Sequence, residues 1–559
     1  MIKRIIARLN KITKIQNKFI VKTIEKVKFV WYNHIESVIV LIAIYFLCKE
    51  RGINLKRLGI VELNSTEVKL LIAEVLDNQS YVMLAKHETK IKIADDLVVD
   101  ELIKQQNIFN VITTLKTYKS LLKSYEVLEN FALATNEFAN AKNQRSFFDE
   151  IYNSTGFKFK ILSQSEEASN LYLAFINSLD CPKGLILNVN GTTSQIFAYN
   201  RRNTLNQVNI PTGSVTLASK HLNGSIAPQQ AMEDMTKEFA NYIAEENWFG
   251  ELDEETQIVG TGDVFISIAK LSKKLKKYPY AKDHAYQFTK EDLDQVYDFV
   301  KTLDIDKSKK LKGISSQSAD ILASGISIVK AFAEKCGIAR FVVSTYGIAE
   351  GYMLGKVNPL TLEKPISDVL GASLETQNIY YNNAGIQNTQ NVYELSLILF
   401  KQLKVLHKLP RNFVKVLRIA SYMHDSGKRV SPVDFEKKGL QVVLDSEICG
   451  VAHHEQVLAA FVVASQNLQD FSMVDWVRYN SITTETDLDG VRKLAVIVKL
   501  ATMLDSFGAG KVKDISCDIL GDSVIMKTIV ESPAEMEIAE GLKVSSDFAK
   551  AFKKHLEIL

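Results

Sequence analysis

GLILNVNGTTSQIFAYN (residues 184–200) is an apolar run, a polar turn and a second apolar run. Short runs rich in Leu, Ile, Val, Phe and Tyr, bounded by Asn, Gly and Thr, read as β-strands. A turn this short sends the second strand back along the first. The pattern occurs twice, because LGIVELNSTEVKLLIAEV (58–75) has the same build. The turns are Asn64-Ser65-Thr66 and Asn190-Gly191-Thr192-Thr193-Ser194. A third strand follows each copy, YVMLAKH (81–87) and LNQVNIP (205–211). FALAT (131–135), TQIVGTG (256–262) and RFVVSTYG (340–347) are further strand-like pieces, with helical patterns between them. A duplicated strand–turn–strand unit with helices predicts two related α/β lobes facing one cleft.

Turns of Asn, Ser, Thr and Gly after a buried strand bring backbone N–H groups and hydroxyls together, which suits phosphate oxygens. Ordinary hairpin turns have the same composition. ILSQSEEASNLYLAF (161–175) is the next candidate. Ser163 followed by Glu166 is a capping box, while a glutamate at a helix start beside a cleft is also a candidate general base. Spacing does not choose between Glu166 and Glu167.

From about residue 366 the pattern is helical, with apolar residues three and four apart in 391–409, 412–427, 455–468 and 489–507. The last residues read as strands at 523–530 and 534–540 and a helix at 546–559. Pro359 and Pro365 mark the boundary before the helical part.

The 559 residues are 46% hydrophobic and 24% charged, which excludes global disorder and fibrous repeats. Cys48, Cys181, Cys336, Cys449 and Cys517 form no C-x-x-C pair, so a zinc ribbon and a disulfide scaffold are not expected and a reducing, cytoplasmic compartment fits. The net charge of +3 hides a division: residues 1–57 hold 13 basic and 3 acidic residues (+10), and the remainder holds 55 and 62 (−7). The acidic body gives no reason to expect nucleic-acid binding. The leader begins as a basic amphipathic pattern, followed by an apolar core, Val38–Cys48, shorter than a bilayer span. It has three readings: a helix packed on the body, a helix in contact with a membrane surface through residues 1–48, or a start codon assigned too far upstream.

Together these pieces resemble the exopolyphosphatase / guanosine pentaphosphate phosphohydrolase family. ELNSTEVKLLI (62–72) resembles its first phosphate loop, Asp-x-Gly-Ser-Asn-Ser, and LSQSEEA (162–168) its Ser-Gly-x-Glu-Glu-Ala motif. NVNGTTSQ (188–195) stands where the family has Asp-x-Gly-Gly-Gly-Ser-Thr-Glu. FALATNEFANAKN (131–143), PTGSVTL (211–217), VGTGD (259–263), GISSQSADILASG (313–325) and STYGIAEGYMLG (344–355) fit further motifs, and ASYMHDSGK (420–428) and LATMLD (500–505) resemble signatures of its helical domain.

The resemblance implies two actin-like (ribonuclease H-like) lobes, then an all-α HD-like domain and a small C-terminal α/β domain. The expected division is a leader at 1–56, lobe I at 57–183, lobe II at 184–365, the HD-like domain at 366–515 and the last domain at 516–559. It also implies Mg²⁺, a homodimer, and polyphosphate or guanosine penta- or tetraphosphate as ligand. Glu167 falls on the family's general-base position and Glu62 on the Asp of the first loop. Asn64, Ser65, Thr66, Lys69, Gly191, Thr192, Thr193, Ser194 and Gly262 would hold phosphate. Glu62, Asn188 and Gln195 would be the metal set, but the last two are amides where the family has acids. An amide keeps the shape without the charge that hard Mg²⁺ favours. Family arginines are replaced by Ala139, Ser318 and Ala349, and loop glycines by Asn64, Asn190 and Thr192. The turn then needs left-handed backbone that Asn tolerates and Thr does not.

His424, Asp425 and Asp505 are the expected HD-like site. A metal there needs another histidine, for which His453 and His454 are the nearest candidates; a hydrogen-bonded structural pair is the plainer reading. Two functions follow: hydrolysis of terminal phosphoanhydride bonds, weakened by the lost acids and arginines, or polyphosphate or guanosine tetraphosphate binding without turnover. Actin-like assembly is a third class, which leaves the helical domain without a role.

Overall fold

The computed structural model describes residues 56–200, 203–222, 228–248, 256–381, 386–466 and 471–559. The leader lies outside the described residues apart from its last position, and with it both the packed-helix and the membrane-surface expectations. Among the described residues no helix is long and apolar enough to cross a membrane.

The first apolar run becomes β1 (Lys56–Leu63), and the chain returns as β2 (Glu67–Val75) and β3 (Tyr81–Lys90). β4 (Glu129–Ala134) and β5 (Phe159–Ile161) complete a sheet in the order β3-β2-β1-β4-β5. β1 is buried on both faces from Leu58 onward, which is why its sequence is a continuous apolar run rather than an alternation. β4 pairs in parallel with β1 and with β5, so crossovers are required, and the helices Gln105–Ser124 and Gln144–Thr155 supply them.

β6 (Lys183–Val189), β7 (Ser194–Asn200), β8 (Asn203–Ile210), β9 (Gln257–Thr261), β10 (Gln287–Thr289) and β11 (Arg340–Val343) form the second sheet, ordered β10-β11-β9-β6-β7-β8. The run β8-β7-β6-β9-β11 repeats β3-β2-β1-β4-β5, with the same parallel pairs after the hairpin; β10 is an added antiparallel edge. The expected duplication is therefore a duplication of topology.

Two helices, Gln164–Ile176 and Ile348–Val357, pack between the sheets. Their Leu171, Phe175, Ala349 and Met353 share one core with Leu58 and Ile60 of the first sheet and Ile186 and Val259 of the second. They approach so closely that a Cβ on Gly351 would lie 1.9 Å from the Asn170 carbonyl oxygen. This crossing holds the floor of the cleft.

Beyond Pro365 the chain is helical through Glu485–Leu504, followed by β12 (Val512–Ile519), β13 (Ser523–Val530) and β14 (His555–Ile558) in one small sheet. Two expectations are corrected here. Residues 534–540 are not a strand: Glu535–Leu542 is helical, with Ala534, Glu537 and Gly541 buried at helical spacing. The last helix does not run to 559. Ser545–Phe552 ends at Lys553, whose φ of 58° is left-handed, and His555–Ile558 then alternates its buried Leu556 and Ile558 as a strand should. The expected boundary at 515/516 falls inside β12, and Leu399, Leu417 and Val498 of the helices share a core with Ile515, Met526 and Phe548 of the last segment.

Candidate active cleft

The two polar turns meet. In the first, the Asn64 side-chain oxygen accepts the backbone N–H groups of Thr66 (2.9 Å) and Glu67 (2.8 Å), so a side chain closes the turn. In the second, the Asn190 N–H donates to the Thr193 carbonyl at 2.9 Å. Asn64, Asn190 and Thr192 all lack positive φ. The expected left-handed backbone at these replaced glycines is thus not used, because the Asn64 side chain shapes the first loop instead. Gly191 is required for a different reason: a Cβ there would lie 2.6 Å from Ser65 Oγ and 2.7 Å from the Ala94 Cβ. Only a bare backbone lets the loops touch.

A carboxylate joins them. Glu137, in the short turn after β4, accepts hydrogen bonds from Ser65 Oγ (2.8 Å), the Ser65 N–H (3.3 Å), the Thr192 N–H (2.9 Å) and Thr192 Oγ1 (2.8 Å). Sequence reasoning missed it, although it lies within the quoted segment 131–143. Thr193 contributes its carbonyl to the turn, and the Ser194 hydroxyl donates to the Thr212 carbonyl at 2.9 Å, turned away from the nest where it was expected.

Below the loops lies a charged network that the sequence reading identified only in part. Glu62 is buried at the end of β1; burial raises its carboxyl above the usual range, with Lys69 partly offsetting, and its Oε2 accepts the Ala349 N–H at 3.0 Å. Glu67 behaves oppositely. Burial acts to raise it too, but Lys69 at 2.6 Å and Lys90 outweigh burial and hold it at about 2. Lys90 also lies 2.5 Å from Asp263, and Lys86 3.0 Å from Glu350, so lysines of lobe I reach carboxylates of lobe II. The cavity among Glu62, Asn64, Thr66, Lys69, Asn188 and Gly262 is about 40 Å³, room for a few waters and not for a phosphate chain.

The adjacent glutamates divide. Glu166 completes the capping box, with the Ser163 N–H donating to its Oε2 at 2.9 Å, and pairs with Lys160 at 2.5 Å on the surface. Glu167 turns inward and is buried. Its Oε1 accepts the Asn136 N–H at 2.5 Å. Burial pushes its carboxyl up to about 8; Glu137 and Glu62 add to that, and the Asn136 hydrogen bond opposes it. A carboxyl poised near neutrality within a cleft can accept a proton from water.

The implied Mg²⁺ set does not fit. Asn188 and Gln195 are register partners across β6 and β7. Gln195 donates to the Gln164 carbonyl at 3.0 Å, and its Oε1 is buried without a hydrogen-bond partner. That orphaned oxygen is neutral, and the Lys69 ammonium already stands beside Glu62 and Glu67. Among the described residues no group of three or more His, Cys, Asp or Glu is arranged to hold a metal ion.

In the helical part, His424 is buried and held below its ordinary pKa, chiefly by burial, with Asp425 and Asp505 acting the other way. Its Nδ1–H donates to the Ser421 carbonyl at 2.8 Å. Asp505 accepts the Gly510 N–H at 2.8 Å. Neither candidate histidine joins them. His453 binds the His284 carbonyl (2.8 Å) and Tyr278 (3.0 Å), and His454 pairs with Asp487 (3.0 Å).

Known proteins resemble this chain in fold or in sequence. An exopolyphosphatase from Cytophaga hutchinsonii superposes with a TM-score of 0.51 at 15% identity, covering 55% of this chain and 99% of that one, and so shares the fold. A guanosine-5'-triphosphate,3'-diphosphate pyrophosphatase of Pseudoalteromonas atlantica is 20% identical over 391 residues, 68% of this chain and 74% of that protein. A bifunctional 3-dehydroquinate synthase/phosphatase of Fusobacterium nucleatum is 20% identical over 302 residues, and the chain spans 44% of its length. The model of the Ppx/GppA phosphatase family matches residues 71–359, from the middle of β2 to the end of the second lobe and more than half of the 559 residues. The chain belongs to the Ppx/GppA phosphatase family.

Proposed function

We propose that the cleft hydrolyses terminal phosphoanhydride bonds of polyphosphate or guanosine pentaphosphate. Family membership supports the reaction class, and one observation carries it to this chain: Glu167 is buried in the cleft with its carboxyl pushed up to about 8. A water molecule in line with the terminal phosphorus gives its proton to the Glu167 carboxylate as it attacks; the bond from that phosphorus to the bridging oxygen breaks, and the bridging oxygen leaves as an anion on the shortened chain while orthophosphate is released. The N–H and hydroxyl groups of Ser65 and Thr192, with Thr66 and Lys69, bind phosphoryl oxygens and stabilise the charge they gather. Lys69, Lys86 and Lys90 bring positive charge to the cleft, each paired with a carboxylate in this structure.

Phosphate release from long-chain polyphosphate and from guanosine pentaphosphate tests this. Glu167→Gln should lower the rate by about 10²–10⁴-fold, the usual worth of a positioned base. An unchanged rate in that variant would remove Glu167 from the reaction.

Two finer readings go with this proposal. The helical residues of the expected 366–515 segment act as an HD-like module, with His424-Asp425 as a structural pair. The active form is a homodimer in the cytoplasm, and the basic composition of residues 1–48 suits contact with an anionic membrane surface.

A further inference from the structure

We infer that Glu137 is a built-in occupant of the phosphate seat, which a phosphoryl oxygen must displace before substrate enters. The inference rests on the proposed phosphate role of the two loops and adds what holds them shut. Five donors from two lobes converge on one side chain. Oε1 takes Ser65 Oγ (2.8 Å), the Thr192 N–H (2.9 Å) and Thr192 Oγ1 (2.8 Å). Oε2 takes the Ser65 N–H and Thr135 Oγ1, both at 3.3 Å. Backbone N–H groups and hydroxyls that surround a carboxylate in this way are the donors that bind a phosphoryl oxygen.

The geometry suits a removable occupant. The backbone of Glu137 is fixed, because Phe138 beside it is fully buried and stacks on Phe147. The side chain itself is only half-buried, so it can swing out without disturbing the core. The donors that touch Glu137 are all neutral, and Ala139, Ser318 and Ala349 stand where the family resemblance implies arginines. A doubly charged phosphate therefore gains no guanidinium contact over the resident carboxylate. A tethered group competes at an effective concentration in the mM range, so weak ligands are excluded until it leaves.

Calorimetric titration of the full chain with tripolyphosphate tests this in three proteins: wild type, Glu137→Ala and Glu137→Gln. Removing the competitor removes a conformational penalty on binding, so Kd should fall about 10-fold or more in Glu137→Ala. Glu137→Gln keeps the shape and loses the charge, and should fall between the other two. Unchanged or weaker binding in both variants, at the wild-type melting temperature, overturns the inference and leaves the phosphate loops standing. If Glu137→Ala does not fold, Glu137→Gln against wild type decides alone. No binding by any of the three proteins overturns the phosphate reading of the loops, and this inference with it.

Discussion

Glu166 and Glu167 are neighbours with opposite fates, and burial separates them. Glu166 caps a helix on the surface; Glu167 is 3% exposed and turns inward. The cap was legible from spacing, since Ser163 and Glu166 stand three apart. The inward turn of Glu167 was legible only through family resemblance. Glu137 was not legible at all, because its partners Ser65 and Thr192 lie 72 and 55 positions away and no local pattern marks such a contact. Glu167 should also leave a mark on stability. Its folded pKa is raised from 4.5 to about 8, so its contribution is fully present below about 4.5 and is lost as pH rises through about 8. Glu167→Gln removes that dependence. Its melting temperature should gain on wild type as pH rises through about 8; a constant difference would show that the carboxyl does not titrate there.

At the scale of elements, the hairpins were legible because a buried strand reads as an apolar run and a polar turn interrupts it. The same rule misread residues 534–540, where Met536 and Ile538 alternate but the buried positions follow helical spacing. Final residues 555–558 were misread for the reverse reason: a good helix pattern runs into Lys553, and only the left-handed turn there ends it. How the helices Gln164–Ile176 and Ile348–Val357 cross was not visible in either one. Gly351→Ala forces a methyl against the Asn170 carbonyl, where the neighbour is backbone and cannot yield. Thermal or denaturant unfolding should show a loss of about 1–3 kcal/mol or more. Gly355→Ala, on the same helix, meets only the Leu362 side chain at 3.1 Å and should cost less. Equal losses would mean that the crossing does not limit stability.

Over the whole molecule, the uneven charge acquires a meaning. The body is acidic by −7, yet lysines of β2 and β3 gather where the lobes meet: Lys69 and Lys90 hold Glu67, Lys90 reaches Asp263, and Lys86 reaches Glu350. The two lobes were legible because a duplicated pattern implies a duplicated topology. Their closure was not, since it depends on side chains from both lobes meeting around Glu137. On the proposed reading, the ion pairs and the Glu137 carboxylate close a hydrolytic cleft whose base, Glu167, is held near neutrality. The deciding measurement is the pH dependence of phosphate release from long-chain polyphosphate by the full chain. With Glu167 as base, the rate rises as pH passes through about 8, where the carboxyl ionises. A rate independent of pH across that range, or no release at any pH, contradicts a hydrolytic cleft built on Glu167.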